Sequence, residues 1–381
     1  MSGRRDVSNF CLNEWPFRIV PDPEFCKIWA NREDLYKTWE DKFSYVIRRK
    51  TSAIYIIWGY YGSGKTHGLL HFKWKLFENQ RLAFVVYHEF PKNARKFLDI
   101  YREFAKNMDF QEFCKILRLI RQKVIKNEKN PILFLNKYVT GNWTELSKIF
   151  LMLSQDQNIE LAERWIKCEK VSLFDLKKVG IGERIEESTD AIRALGGIVR
   201  ALTLMNEKIN TYKAVIWMID ECQALQKIYP RNADEIKANL TSVFNTCPNN
   251  FCLALAFKSD SPSTIQQALS EDMVKRLPLE SMIHVPAFKG ISEAKSFILD
   301  LLAKFRPQKK NVPDEFFPFS EEAIDTTLRF IAEKTNEITP RDLMVYFDKI
   351  LDAADLEGRI KSTNDRIDFQ FVIKTLSNIT L

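Results

Sequence analysis

Four residues have the types and the spacing that phosphate chemistry needs. Gly59, Gly64, Lys65 and Thr66 fit the pattern G-x-x-x-x-G-K-[ST], in which a glycine-rich loop holds the phosphates of a nucleotide. Glycines let the backbone bend so that successive N–H groups point at phosphate oxygens. The lysine would reach the β- and γ-phosphates, and the threonine hydroxyl would bind Mg²⁺, so we expect ATP and Mg²⁺ as cofactors. The predicted nucleotide-binding residues of this loop are Gly59, Tyr60, Tyr61, Gly62, Ser63, Gly64, Lys65, Thr66 and His67.

Two adjacent carboxylates, Asp220 and Glu221, suit the hydrolysis of a bound nucleotide. They follow an uninterrupted apolar run at residues 214–219. At the carboxyl end of a buried strand, Asp220 would hold Mg²⁺ through water, and Glu221 would orient and activate the attacking water. An ordinary solvent-facing turn is the alternative, but strand ends are where α/β sheets bind ligands. The glutamate favours hydrolysis over nucleotide binding alone.

A parallel sheet would position both motifs. The loop motif follows an apolar run rich in β-branched and aromatic side chains, which is typical of a buried strand and argues against a chance match. Further runs of this kind alternate with helical patterns along the chain. This alternation predicts a parallel αβα sandwich of the α/β class. The predicted strands are residues 53–58, 81–89, 214–219, 251–257 and 282–285.

Helical patterns fill most of the remaining chain. A first helix is predicted over 31–49 with Asn31 as its N-cap, and residues 92–212 form a long helical excursion between two strands. From residue 288 onward the pattern predicts a small all-helical domain. Its helices are each expected to begin at a capping side chain, namely Ser292, Ser320, Thr339 and Asp368.

Three domains are predicted from these patterns. They are an N-terminal segment with the first helix (1–50), a nucleotide-binding domain (51–287) with a helical insertion at about 92–212, and a helical lid (288–381).

Composition narrows the class of protein. Hydrophobic residues make up 45% and charged residues 28% of the chain, which is ordinary for a soluble globular protein. We find no apolar run of 18 residues and no N-terminal signal peptide, so we expect neither a membrane span nor secretion. The seven cysteines are scattered and form no C-x-x-C pair, which argues against structural zinc and a disulfide framework. A reducing, cytoplasmic location is expected.

The positive charge is concentrated in one stretch. The chain carries a net charge of +7, and residues 91–130 hold eleven Lys or Arg against five Asp or Glu. Such a segment suits a polyanionic partner, and we expect contact with DNA. A solvated helix face is the alternative, and RNA or an acidic protein would satisfy the same charges.

The order of these motifs resembles that of AAA+ ATPases, most closely the initiator (origin-recognition) group. Residues 59–66 resemble Walker A, and Asp220 with Glu221 resemble Walker B. The resemblance covers roughly 15–375 and implies ATP hydrolysis by an oligomer. It also implies roles for five further residues: Asn31 and Arg32 in a box against the adenine, Ser259 (or its neighbour Lys258) as sensor 1, Arg276 as an arginine finger, and Arg341 as sensor 2.

Each of the last three assignments has a simpler alternative. Ser259 would only cap the next turn, Arg276 would be a surface arginine beside Lys275, and Arg341 would only decorate a lid helix.

Two features set the sequence apart from true initiators. The chain ends soon after the lid, so we expect no winged-helix DNA-binding domain. The insertion at 92–212 is longer than in initiators, and its pattern from Ala162 to Leu195 is similar to P-loop proteins of BREX-type phage-defence systems. AAA+ transposition regulators are also comparable in size.

These observations lead to three functional hypotheses. The first is an AAA+ ATPase, homo-oligomeric or assembled with a partner effector protein, that uses ATP at a subunit interface to control assembly on DNA or recruitment of that effector, in phage defence or a mobile element. The second is an ATP-dependent scaffold or switch that binds a partner protein with little turnover. The third is a small-molecule kinase, which the helical lid and Glu221 argue against.

Overall fold

The structure is a computed structural model that describes residues 7–20, 24–206, 209–269, 271–275, 277, 279–307 and 312–378. Its strands are β1 (Ala53–Gly59), β2 (Ala83–Glu89), β3 (Met205–Asn206), β4 (Ile209–Asn210), β5 (Ala214–Asp220), β6 (Phe251–Lys258) and β7 (Met282–His284). Its helices are α1 (Glu33–Arg49), α2 (Lys65–Lys73), α3 (Phe97–Asn107), α4 (Phe110–Lys123), α5 (Pro131–Leu135), α6 (Thr144–Ser154), α7 (Ile159–Ile166), α8 (Leu173–Lys178), α9 (Ser188–Leu202), α10 (Pro230–Thr246), α11 (Pro262–Ala268), α12 (Glu271–Lys275), α13 (Ile291–Phe305), α14 (Glu321–Lys334), α15 (Pro340–Leu356) and α16 (Phe369–Ser377).

Five strands form one parallel sheet in the order β2-β5-β6-β1-β7. β2 and β5 pair over their whole length, from Ala83 opposite Ala214 to Glu89 opposite Asp220. All seven residues of β5 are buried, as are the first seven of β6. Near-continuous apolar runs are what a sheet covered on both faces requires. The predicted α/β class with a parallel sheet is confirmed.

The chain forms two compact units, and the sheet belongs to the unit made of Thr38–Trp58 and Phe72–His284. Helices α3 and α9 pack against the β2 and β5 side of the sheet, and helices α3 to α9 all lie between β2 and β5 along the chain. His88 lies buried in β2, where its Nε2 accepts the indole N–H of Trp217 at 2.8 Å and its Nδ1 donates to the carbonyl of Glu89. Burial lowers the pKa of His88 to about 4, so its ring is neutral.

The other unit contains the described residues of Met1–Lys37, Gly59–His71 and Val285–Leu381. Helices α13 to α16 and the N-terminal segment share one hydrophobic core. Phe17 packs against Phe319 and Phe347, with ring centroids 6.4 and 5.5 Å away. The indole N–H of Trp15 donates to Asp348 at 2.7 Å. The N-terminal segment is therefore part of the helical core of this unit.

Three of the four predicted N-caps in the C-terminal helices are confirmed. The side chains of Ser320, Thr339 and Asp368 each accept the backbone N–H three residues further on. The fourth, Ser292, is wrong, because the N-cap of α13 is Gly290 and the helix begins at Ile291, two residues earlier than predicted. Glu293 helps this earlier start, since its carboxylate accepts the backbone N–H of Lys289 at 2.7 Å.

Candidate nucleotide-binding site

The glycine-rich loop connects β1 directly to α2. A Cβ atom on Gly59 would lie 2.2 Å from the carbonyl oxygen of Val285, so only glycine fits where the strand ends. The backbone N–H of Ser63 donates to the carbonyl oxygen of Tyr60 at 3.3 Å, and the N–H of Gly68 donates to the carbonyl oxygen of Gly64 at 2.9 Å. The loop therefore turns sharply and enters the first turn of α2. Helix N-termini with this geometry attract phosphate through free N–H groups and the helix dipole.

Lys65 is held by its own loop. Its ammonium donates to the carbonyl oxygens of Gly59 at 2.9 Å and Tyr60 at 2.8 Å, and the residue is 8% exposed. The two tyrosines, Tyr60 and Tyr61, are exposed, and Thr66 follows Lys65 within the first turn of α2. Phosphate binding by Lys65 would therefore exchange these carbonyl contacts for phosphate oxygens.

Two observations show that the loop fits a phosphate group. Within the part of the chain that the structure describes, a Cβ atom on Gly64 would meet no atom within 4 Å, so the loop is open at this residue. The hydroxyl of Ser63 is fully buried and has no hydrogen-bond partner among the same residues. A buried hydroxyl without a hydrogen-bond partner costs free energy, and a ligand that accepts a hydrogen bond from it would remove this cost.

Arg32 braces the loop from one side. Its guanidinium donates to the carbonyl of Ser63 at 2.9 Å and to that of Pro286, and it lies 5.3 Å above the ring of Phe288. Burial lowers the pKa of Arg32, and the nearby carboxylate of Glu293 opposes that shift. The resemblance assigned Arg32 to the adenine; the structure shows it bound to the loop backbone, and its contact with adenine stays a prediction.

Asn31 is not the N-cap of α1, because both it and Arg32 have left-handed backbones (φ 49° and 62°) and the helix begins at Glu33. Its side-chain oxygen accepts the N–H of Arg32, and its own N–H donates to Asp300 at 2.6 Å. Its predicted contact with adenine is likewise untested.

Helix α15 contacts the loop from another side. The backbone N–H of Arg341 donates to the carbonyl of Gly62 at 3.2 Å, and its guanidinium lies 4.8 Å above the ring of Tyr61. Thr339 and Asp342 cap this helix reciprocally, and Pro340 occupies its first position. The structure thus places Arg341, the predicted sensor 2 residue, next to the glycine-rich loop.

His67 lies under the loop in a cluster of rings that sequence reasoning missed. Its Nε2 donates to the carbonyl of Ile28 at 2.9 Å, and burial lowers its pKa against the effect of this hydrogen bond. Trp29 packs against both His67 and His71, with ring centroids 6.2 and 5.2 Å away. The Nδ1 of His71 donates to the backbone carbonyl oxygen of Cys26 at 2.9 Å. The signal was present in the sequence, because His67 and His71 are four residues apart on α2 and so share one face.

Asp220 and Glu221 lie at the carboxyl end of β5, as predicted. Asp220 is the last residue of the strand and is 2% exposed. Its carboxylate accepts the N–H of Glu221 at 2.8 Å and the hydroxyl of Tyr87 at 3.3 Å. Glu221 itself is exposed and has a left-handed backbone (φ 56°), so the chain turns at this residue.

Ser259 and Arg276 are the remaining predicted site residues. The hydroxyl of Ser259 donates to the carbonyl of Ser261 at 2.8 Å and accepts its N–H at 3.2 Å, so the structure shows it closing a local turn. Its role as sensor 1 stays a prediction. Arg276, the predicted arginine finger, lies outside the described residues.

The described residues contain neither a cluster of metal-ligating side chains nor a membrane-spanning helix. No group of three or more His, Cys, Asp or Glu side chains is arranged to hold a metal ion. The binding of Mg²⁺ by Thr66 and Asp220 stays a prediction. No helix within the same residues is long and apolar enough to cross a membrane.

Comparisons with known proteins identify the fold. No protein-family model matches the sequence, and no curated protein is similar to it in sequence. Its structure is similar to that of Cdc6p from Pyrobaculum aerophilum, with 12% identity, a TM-score of 0.51, and coverage of 99% of this chain and 72% of that one.

Two further solved structures have lower TM-scores. For the Aeropyrum pernix ORC1 protein in complex with DNA the TM-score is 0.49 at 10% identity, covering 95% of this chain and 68% of that one. For a chain of Drosophila ORC bound to DNA it is 0.46 at 11% identity, covering 92% of this chain, which spans 61% of the Drosophila chain. The parallel sheet, the glycine-rich loop after β1 and the similarity to Cdc6p together show that this chain has an AAA+ initiator-like fold.

Proposed function

We propose that this protein is an AAA+ ATPase that binds ATP with Mg²⁺ at the glycine-rich loop and hydrolyses it. The observation that carries the proposal is the state of the loop itself. It is braced by Arg32 and α15, it is open at Gly64, and it contains a buried hydroxyl without a partner at Ser63. A loop shaped and held in this way, entering a helix N-terminus, suits phosphate and little else.

The roles of the site residues follow from their positions. Lys65 would exchange its two carbonyl contacts for phosphate oxygens, and Arg341 would leave the ring of Tyr61 for the γ-phosphate. Thr66 and Asp220 would hold Mg²⁺, which supplies charge neutralisation for the transferred phosphoryl group. The resemblance of Asp220 and Glu221 to Walker B supports a role for Glu221 in the hydrolysis of ATP. Glu221 would take the proton of the attacking water.

We also propose that the ATPase is an oligomer, with Arg276 of a neighbouring subunit completing each site. ATP turnover would control assembly on DNA or recruitment of an effector protein, in phage defence or a mobile element. A cytoplasmic location is proposed as well, and the lack of any disulfide among the seven cysteines supports it.

The proposed DNA contact has a defined surface. In the basic stretch at 91–130, Arg102, Lys106, Lys115 and Arg118 form ion pairs with nearby carboxylates. A second set lies at and after the end of α4, where each cation is exposed and forms no ion pair with any described residue. We call this set the basic patch, and it consists of Arg121, Lys123, Lys126 and Lys129. Unpaired cations attract a polyanion more strongly than paired ones, so the patch supports the proposal of DNA contact.

The ATPase proposal is tested by turnover at increasing protein concentration, with and without duplex DNA. We expect the rate per subunit to rise with concentration, because each site needs a neighbour, and to rise again with DNA. Glu221→Gln should abolish turnover while leaving ATP binding intact, and Lys65→Ala should weaken binding itself. A near-zero wild-type rate with tight ATP binding would refute hydrolysis and support the scaffold hypothesis.

The DNA proposal is tested by the salt dependence of duplex binding. Replacing the four basic-patch residues by alanine should weaken binding and reduce the slope of log K against log[salt] by about 3.6, since each phosphate contact contributes about 0.9. The control replaces Arg102, Lys106, Lys115 and Arg118, which are ion-paired, and so removes the same number of positive charges. If both variants bind equally well, or if salt has no effect, the patch is not a DNA contact.

A further inference from the structure

A glutamine two residues after Glu221 connects the catalytic carboxylate to the next strand of the sheet. The side-chain N–H of Gln223 donates to Oε2 of Glu221, and its Oε1 accepts the backbone N–H of Lys258 at 2.9 Å. Lys258 is the last residue of β6, which lies beside β5. The amide therefore spans from the carboxylate to the end of the neighbouring strand.

The chemistry of the two contacts fixes the orientation of the Gln223 amide. The backbone N–H of Lys258 can only donate, and the carboxylate of Glu221 can only accept. The amide oxygen must therefore face Lys258, and the amide NH₂ group must face Glu221. A flipped amide would place donor against donor and acceptor against acceptor, so both hydrogen bonds would be lost.

We propose that Gln223 is a positioning residue for Glu221, an inference that rests on the proposed ATPase activity. Glu221 is exposed, and within the described residues no other side chain donates to its carboxylate. A free glutamate at a turn samples several rotamers, most of which point away from any one water. By holding Oε2, Gln223 leaves Oε1 to orient the attacking water. Because the amide is anchored on β6, the position of Glu221 follows the end of that strand.

The competing explanation is that Gln223 only ties the turn after β5 to β6. A second glutamine in the same turn provides the comparison. The Nε2 of Gln226 donates to the carbonyl of Thr264 at 3.3 Å, which links the turn to α11 without touching Glu221. A purely structural role would make these two glutamines equivalent in their effect on turnover.

Gln223→Glu separates the two explanations because it changes only one of the two contacts. The introduced carboxylate still accepts the N–H of Lys258, but it has no proton to donate to Glu221. We expect kcat to fall about 10- to 100-fold, with KM for ATP within about twofold of wild type and an unchanged melting temperature. Gln223→Met removes both amide hydrogen bonds without adding charge and should lower kcat similarly. Gln226→Ala should leave kcat close to wild type.

The pH profile of Gln223→Glu supplies a readout that a structural role would not move. At low pH the introduced carboxyl is protonated and can again donate to Glu221, so the deficit in kcat relative to wild type should shrink as pH falls. A wild-type kcat in both Gln223 variants, with Glu221→Gln still inactive, would overturn the positioning role alone. No wild-type turnover at all would overturn both this inference and the proposed ATPase.

Discussion

The contact between the glycine-rich loop and α15 can be tested at Gly62. Its backbone has φ +80°, and a Cβ atom there would lie 2.7 Å from Cβ of Arg341 and 2.8 Å from Oγ1 of Thr339. For Gly62→Ala we expect about 1.5 kcal/mol from the left-handed backbone. Relieving the overlap would cost about 2 kcal/mol more, because the first turn of α15 must shift. The total loss of folding free energy is then about 3.5 kcal/mol.

Gly358→Ala is the matched control in the same unit. Gly358 also has a positive φ (+58°), but a Cβ atom there would meet no described atom within 4 Å, so only the backbone cost of about 1–2 kcal/mol remains. Urea denaturation without nucleotide measures both variants, and a titration with a fluorescent ATP analogue follows. We expect Gly62→Ala to be less stable than the control by about 2 kcal/mol and to bind ATP more weakly. Equal stabilities would refute the contact between Gly62 and α15.

Two further predictions concern a buried histidine and the brace of the loop. Burial holds the pKa of His88 at about 4, below its unfolded value of about 6.5, so the folded protein should lose about 3 kcal/mol as pH falls from 6.5 to 4. Urea denaturation across this range should show the loss of stability. His88→Gln should make the stability of the unit that contains the sheet less dependent on pH. Arg32→Lys should weaken ATP binding about tenfold in a titration, because one ammonium cannot reproduce the forked contact with Ser63 and Pro286. An unchanged affinity would show that the brace does not shape the loop.

The sheet and the loop could be predicted because their signals are local. A buried strand needs an apolar run, and a phosphate loop needs glycines at fixed spacing, so β1, β5, β6 and the residues at their ends were found from the sequence. The caps at Ser320, Thr339 and Asp368 were found for the same reason. Ser292 failed because a serine near a helix start is only one of several residues that can begin it, and Gly290 did so instead.

The contacts that hold the site could not be predicted, because they join distant parts of the chain. The bond from Arg32 to Ser63 spans 31 residues, and that from Gln223 to Lys258 spans 35. Neither pair has a spacing rule of the kind that defines a helix face or a phosphate loop. The packing of the N-terminal segment into the helical core could not be predicted for the same reason, since it also joins distant parts of the chain.

The hydrogen bonds that Lys65 makes to its own loop determine how much it can contribute to ATP binding. Because the ammonium already has two carbonyl partners, at Gly59 and Tyr60, a phosphate would replace hydrogen bonds that exist rather than satisfy a free cation. The net contribution of Lys65 to affinity is then the difference between its ion pair with a phosphate and these hydrogen bonds from the ammonium to neutral carbonyl oxygens. The hydroxyl of Ser63 has no described partner to give up, so a hydrogen bond that it donates to the ligand replaces no bond within the protein. The affinity for ATP should therefore depend on the hydroxyl of Ser63 more than is usual for a serine in a binding site.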